Sequence, residues 1–214
     1  MPDSAHASDN PAPPNGAFLW DMAGTLIAYD GITGRPGAIP GGEEFLPELG
    51  KLFRLFVTTG DETDNARTML RGFELLRHFE DVFGNLYTPL GKPYGQILRQ
   101  VGCAPERSLA IGDRLRSDLP ADTPDVVLFL VNQRDEIINA GTVRFLVDKL
   151  RELGDTFPAA FRALAATGTP DPEAVGELMG GRVAQAWRVK AGPRLRLFEY
   201  QHSLLDGGRL VIEI

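Results

Sequence analysis

Cysteine is all but missing from this chain. Cys103 stands alone in 214 residues, so no intramolecular disulfide can form and the composition suits a reducing compartment. Histidine is scarce as well. His6 lies in a Pro/Ala/Ser-rich opening segment, His78 ends a helical run and His202 sits between strand-like runs. None has a second histidine nearby in sequence, so no zinc site is expected. No apolar run approaches the roughly 18 residues of a membrane helix. The first residues have neither a cationic nor an apolar region of the kind that directs secretion, so the expected location is the cytoplasm, away from membranes. Positive charge is also in deficit, with 22 Lys and Arg against 29 Asp and Glu and a net charge of −7. Nucleic acid is therefore not an expected partner. No internal repeat is evident.

What is present is the balance of a soluble globular protein, 43% hydrophobic and 24% charged. The length allows one ordinary core and an accessory element. The acidic excess is uneven. Residues 1–155 carry 15 Lys and Arg and 23 Asp and Glu, whereas residues 156–214 carry 7 and 6. Three regions are expected from this shift: a disordered tail at 1–16, a catalytic core at 17–155 and a C-terminal appendage at 156–214. The tail at 1–16 has too little apolar surface to offset its ordering entropy.

Within the core, apolar runs alternate with helical periodicity. Ala17 to Asp21 reads as a strand, residues 28–42 as a Gly/Pro-rich loop and residues 43–49 as a short helix. Leu52 to Val57 is a near-continuous apolar run, which suits a strand buried on both faces of a parallel sheet. Asp61 is a candidate N-cap for a helix whose apolar face is Ala66, Met69, Leu70 and Phe73. A short strand is expected at 81–84. A helix opened by Lys92-Pro93 then buries Tyr94, Ile97, Leu98 and Val101. Strands at 108–111 and 126–131 follow, then a helix with Val143, Leu146, Val147 and Leu150 on one face. This alternation predicts an α/β, Rossmann-like three-layer sandwich around a parallel sheet of about five strands. The appendage reads as small α+β, with helices near 157–164 and 172–179 and strands at 186–189, 195–200 and 210–214. Asp206-Gly207-Gly208 makes the last turn. Its alternating apolar strands make it a candidate homodimer interface.

The candidate chemistry sits at strand ends. Asp21 closes an apolar strand and is followed by Ala23-Gly24-Thr25. Such an Asp is either a turn cap or a nucleophile toward a phosphoryl group. Thr58 ends the next apolar run, Lys92 precedes a helix, and Asp113 and Asp118 follow the strand at 108–111. Each has a plain reading as a turn, surface or capping residue. In a parallel sheet, however, all of them converge on the crevice outside the carboxyl ends of the strands. Three carboxylates and one ammonium there suit Mg²⁺ and a phosphoryl group. Thr58, Thr59 and the amides beyond can hold phosphoryl oxygens, and Lys92 can offset their charge. Cys103 reads as a packed residue, and Trp20 reads as packing against a helix, with substrate stacking as the alternative.

Taken in order, Asp21-Met22-Ala23-Gly24-Thr25-Leu26, the strand ending at Thr58, Lys92-Pro93 and Gly112-Asp113-Arg114-Leu115-Arg116-Ser117-Asp118 resemble the four motifs of the haloacid dehalogenase-like superfamily of Asp-nucleophile phosphohydrolases. The resemblance spans roughly residues 17–153. It implies an aspartyl-phosphate mechanism on a phosphorylated substrate. Asp21 would be the nucleophile, Thr58 and Lys92 would hold the phosphoryl group, and Asp21, the Ala23 carbonyl and Asp113 would hold Mg²⁺, with Asp118 in or beside that shell. The 37 positions from Asp21 to Thr58 and the 34 from Thr58 to Lys92 are too few for an inserted cap domain, so an open site is expected. Ala23 departs from the superfamily's pattern. Most of its phosphatases carry there a second Asp, the general acid/base, so selectivity for good leaving groups is expected. The alternative is a catalytically silent module that binds a phospho-ligand or a protein. Ala at this place also resembles phosphonoacetaldehyde hydrolases, a C–P-cleaving branch that needs a Schiff-base lysine from a cap. Of the four lysines, Lys51 is the only one between the first two motifs.

Overall fold

A computed structural model describes residues 16–86, 88, 90–130, 148, 150–153, 156–157 and 160, and the backbone of 196–201 and 208–213. Residues 1–15 of the expected tail at 1–16, the face formed by Val143, Leu146 and Val147, the helix at 172–179, the strand at 186–189, His6 and His202 lie outside these residues.

The centre of the molecule is β1 (Ala17–Asp21), in which all five residues are buried. The chain then makes a hairpin of β2 (Ile27–Tyr29) and β3 (Pro36–Ala38), where a loop was expected. Residues in this stretch are Gly/Pro-rich, but Asp30 organises the turn. Its Oδ1 accepts from the amides of Ile32 and Thr33 and from the Thr33 hydroxyl, a local cap that glycine content does not reveal. After α1 (Gly42–Gly50) come β4 (Arg54–Thr58), α2 (Thr63–Gly72), β5 (Asp81–Phe83), α3 (Tyr94–Val101), β6 (Leu109–Gly112), the single-turn α4 (Leu115–Asp118) and β7 (Val127–Leu130). Asp61 is not the N-cap of α2. That place falls to Glu62, whose side chain makes no capping bond, while the Asp61 amide donates to Thr59 Oγ1. The sheet order is β5-β4-β1-β6-β7, all parallel. The chain leaves β1 toward β4 on one side and returns to β6 on the other, so the order reverses beside β1 and opens a crevice at its carboxyl end.

Alternation along the strands supplies two cores. Phe18, Trp20, Leu55, Val57, Leu109, Ile111, Val127 and Phe129 face α1, α2, Leu150 and Phe157. Ala17, Leu19, Phe56, Ala110 and Leu128 face α3, Leu119 and Val126. The continuous apolar character of these strands follows from burial on both sides. Trp20 is fully buried and stacked on Phe45 of α1, with ring centroids 5.9 Å apart and planes at 19°. It therefore has no surface to offer a substrate.

The C-terminal strands extend this sheet. β9 (Gly208–Glu213) lies parallel to β7, and β8 (Arg196–Gln201) pairs antiparallel with β9. These two strands lie where strands at 195–200 and 210–214 were expected, although pattern alone does not say which edge a strand joins. Cutting the chain after residue 155 is expected to bare the β7 edge, a template for pairing between molecules. Sedimentation of the 1–155 chain should show association beyond any that the full chain shows; a stable monomeric 1–155 would contradict this role of β9. No helix among the described residues is long and apolar enough to cross a membrane.

Candidate active site

The carboxyl ends of β4, β1 and β6 carry Thr58, Asp21 and the Asp113–Asp118 turn, and the loop before α3 brings Lys92 across them. Lys92 is 3% exposed. Its Nζ donates to Asp21 Oδ1 at 2.6 Å, to Asp118 Oδ1 at 2.8 Å and to the Thr58 carbonyl at 2.9 Å. An ammonium has three N–H groups, and here each has a partner, which is what a buried cation requires. Burial by itself would lower the Lys92 pKa. Tyr94, Asp21 and Asp118 outweigh it and hold the ammonium above its ordinary value. Tyr94 is fully buried beside it, and burial pushes its phenol up.

Asp21 carries the opposite tension. Burial raises its carboxyl, Lys92 pulls it down and the neighbouring charges of Asp118 and Asp113 push it up, which together leave it at about 7. Its second oxygen accepts from Thr25 Oγ1 at 3.4 Å. One carboxylate oxygen from each of Asp21, Asp113 and Asp118 lies within 4.8 Å of the others. Asp118 is held on both sides, since Oδ2 accepts from the Arg114 amide at 2.9 Å while Oδ1 meets Lys92. Gly112 makes room for it, because a Cβ there would come within 2.4 Å of the Asp118 carboxylate. The turn after Asp21 directs the amides of Thr25, Leu26 and Ile27 to the Met22 carbonyl. Among the described residues no amide donates to the Ala23 carbonyl. Three carboxylates and a carbonyl without an amide donor form a hard-oxygen set that fits Mg²⁺.

Thr58 is fully buried, and its hydroxyl lies 3.3 Å from the Trp20 carbonyl. Thr59 is differently placed. Its amide donates to the Phe83 carbonyl and its hydroxyl accepts from Asp61. Just beyond Thr58, the amides of Thr59 and Asp61 have acceptors, whereas that of Gly60 has none among the described residues. The other candidates fall away from the crevice. Lys51 caps the end of α1 and pairs with Glu48 at 2.6 Å, with its side chain 68% exposed, so it cannot serve as a desolvated Schiff-base lysine. Cys103 is buried against Arg54, and His78 faces Glu43. Sequence reasoning missed Thr25, which it quoted without a role, and Tyr94, which it read only as part of an apolar helix face.

Residues 28–121 match the sequence model of the family described as "Hydrolase: haloacid dehalogenase-like hydrolase". The matched segment contains Thr58, Lys92, Asp113 and Asp118, and it begins after Asp21. A haloacid dehalogenase-superfamily hydrolase from Ehrlichia chaffeensis is 14% identical, with 66% of this chain and 100% of that chain covered and a TM-score of 0.51. A putative beta-phosphoglucomutase from Thermotoga maritima is 14% identical over 64% and 99%, TM-score 0.48. A haloacid dehalogenase-like family hydrolase from Streptococcus pneumoniae is 18% identical over 58% and 90%, TM-score 0.45. The sequence has no significant match among curated proteins. Residues 28–121 are thus similar in sequence to haloacid dehalogenase-like hydrolases, and the core is similar in fold to the Ehrlichia chaffeensis protein.

Proposed function

We propose that the protein is a phosphohydrolase that works through an aspartyl-phosphate intermediate and favours substrates with good leaving groups. The observation that carries this reading is the seating of the Lys92 ammonium between Asp21 and Asp118, within a triad of carboxylates at one strand-end crevice. In this reading an Asp21 oxygen attacks phosphorus and the bond to the leaving oxygen breaks, with its electron pair departing on that oxygen. Lys92 moves from carboxylates to phosphoryl oxygens, and Thr58 and the Gly60 amide hold those oxygens. Water then attacks the phosphorus of the acyl phosphate and releases Asp21. Among the described residues, 22–53 hold only the hairpin and α1, and 59–91 only α2, β5 and short turns, which supports an open crevice with no inserted domain over it. Mg²⁺ held by Asp21, Asp113 and the Ala23 carbonyl, with Asp118 beside it, would offset the charge shared by the carboxylates and the phosphate. A panel of alkyl, aryl and acyl phosphates assayed with Mg²⁺ tests the reading. Aryl and acyl phosphates should turn over fastest. Equal inertness on all of them, with a phosphate mimic still bound, would favour the rival reading suggested by Ala23, a silent phospho-ligand module.

Cation binding should depend on pH in a defined direction. Without metal, the Asp21 carboxyl holds its proton up to about pH 7, and a cation binds the carboxylate form. Calorimetric titration should give an Mg²⁺ affinity roughly tenfold weaker at pH 6 than at pH 8 and no signal in Asp113→Ala. Affinity independent of pH would remove Asp21 from the ligand set. The same shift makes metal-free stability fall as pH rises from 3.8 to about 7, because the folded state keeps a proton that the unfolded chain releases.

A further inference from the structure

Lys92 belongs to a loop, yet its ammonium meets three groups at 2.6–2.9 Å. Something must hold that loop at the right height, because a lysine side chain left to itself loses considerable rotamer freedom in such a seat. The segment that follows α4 does so. The Lys92 amide donates to the Leu119 carbonyl at 2.9 Å and the Ala121 amide to the Lys92 carbonyl at 2.8 Å, so Lys92 and Pro120 form a parallel bridge. Gly91 permits this approach: its φ is +109°, and a Cβ there would lie 2.0 Å from the Leu119 carbonyl oxygen. The segment ends at Asp122, whose carboxylate accepts from two amides in the first turn of α3. Oδ1 accepts from Gly95 at 2.7 Å and Oδ2 from Gln96 at 2.8 Å. A carboxylate on helix-start amides is a charge-assisted, doubly bonded contact at the positive end of the helix. One strip of five residues is thus fixed at both ends. Asp118 meets the Lys92 ammonium, Asp122 meets the helix that Lys92 introduces, and the backbone between them bonds to Lys92 itself.

We propose that Asp122 is a positioning residue for Lys92: by docking on the α3 amides it sets the register of the Leu119–Asp122 strip against the Lys92 loop and so fixes the ammonium between Asp21 and Asp118. Asp122 touches none of the reacting groups in the proposed mechanism and acts through Lys92 alone. Its side chain is 30% exposed and its one cationic neighbour among the described residues, Arg99, stands 3.8 Å away, so its principal partners there are the two amides. Truncating it frees the distal end of the strip and lets the loop carrying Lys92 shift, while the ligands of the proposed cation site on β1 and in the Asp113 turn keep their own supports. Phosphoryl binding should therefore suffer and cation binding should not. The structural part of this inference stands on hydrogen bonds, and its functional part rests on the phosphoryl-transfer reading above.

The test uses the full-length chain labelled with ¹⁵N-lysine. It has four lysines, and the Lys92 ammonium signal is assigned by its loss in Lys92→Met. A buried ammonium with all three N–H groups bonded should exchange its protons with water slowly. In Asp122→Ala the Lys92 exchange rate should rise at least about tenfold and Mg²⁺-dependent orthovanadate binding should weaken by about 10- to 100-fold, the range for removing a supporting partner of a site ligand. Mg²⁺ affinity should change less than about twofold. Asp122→Asn keeps one acceptor and turns an N–H₂ toward the other amide, so it should fall between; it carries the measurement if the alanine variant does not fold. A lowered melting temperature with unchanged Lys92 exchange and unchanged vanadate affinity would make Asp122 a structural cap only, and would overturn the proposal. Slow Lys92 exchange that depends on Asp122 in a protein binding no vanadate would leave the positioning intact and remove the phosphoryl-transfer reading.

Discussion

Replacing Asp21 by asparagine is expected to cut turnover of the best phosphate substrate by at least about 10³-fold, as loss of a covalent nucleophile does, with little change in stability. The two halves of this expectation have separate causes. Asparagine keeps the shape of the side chain, so Phe18, Leu19 and Trp20 of β1 need not move, and the Lys92 ammonium retains Asp118 and the Thr58 carbonyl. In the absence of metal, burial already raises the wild-type carboxyl well above the ordinary carboxylate range, so a neutral amide resembles a state that the fold tolerates. What the amide lacks is nucleophilicity toward phosphorus. Lys92→Ala should behave differently. It would leave Asp21 and Asp118 buried without their shared cation, a loss of the kind that costs about 3–5 kcal/mol. Chemical denaturation beside kinetics separates the two variants. An Asp21→Asn protein as active as wild type would dismiss the nucleophile assignment.

How much of this was legible in the sequence depends on the range of each interaction. β1, β4, β6 and β7 announce themselves because strands buried on both faces are continuous apolar runs, and Leu19, Phe56, Ala110 and Leu128 reach one core while Phe18, Val57, Ile111 and Phe129 reach the other. The convergence of Asp21, Thr58, Lys92 and the Asp113–Asp118 turn followed from parallel topology, which places every strand's carboxyl end at one edge. The hairpin at Ile27–Ala38 was hidden because its turn depends on a side chain, Asp30, bonding its own loop. The destination of β9 was hidden because an alternating strand carries no mark of its neighbour. Asp122 was hidden for a third reason: its partners are backbone amides of Gly95 and Gln96, distant in sequence, and an Asp in a loop has no pattern that names such a contact.

Ala23→Asp should raise turnover of alkyl phosphates by up to about 10²–10⁴-fold, the usual worth of general acid–base catalysis, or roughly 3–5 kcal/mol of barrier. In the native chain no carboxyl stands two residues beyond Asp21 to protonate the departing oxygen. On the proposed mechanism, attack by Asp21 would succeed only when that oxygen can leave as an anion, which aryl and acyl phosphates allow and sugar or alkyl phosphates resist. The structure favours accommodation of the longer side chain. Ala23 is only partly buried, and the hydrogen bonds of its turn converge on the Met22 carbonyl and are independent of the side chain at 23. Charge works the other way. A fourth carboxylate near Asp21, Asp113 and Asp118 would raise the Asp21 carboxyl further and weaken phosphate binding without a cation. The gain should therefore appear in kcat at saturating Mg²⁺ and shrink as Mg²⁺ is lowered. It should also be selective, large for alkyl phosphates and small for aryl phosphates whose leaving groups need no proton. A uniform gain across both classes would mean that the new carboxylate acts on binding or metal affinity instead of on the leaving group. No gain on any substrate, with Mg²⁺ and vanadate still bound, would mean that the absent acid is not what limits this site.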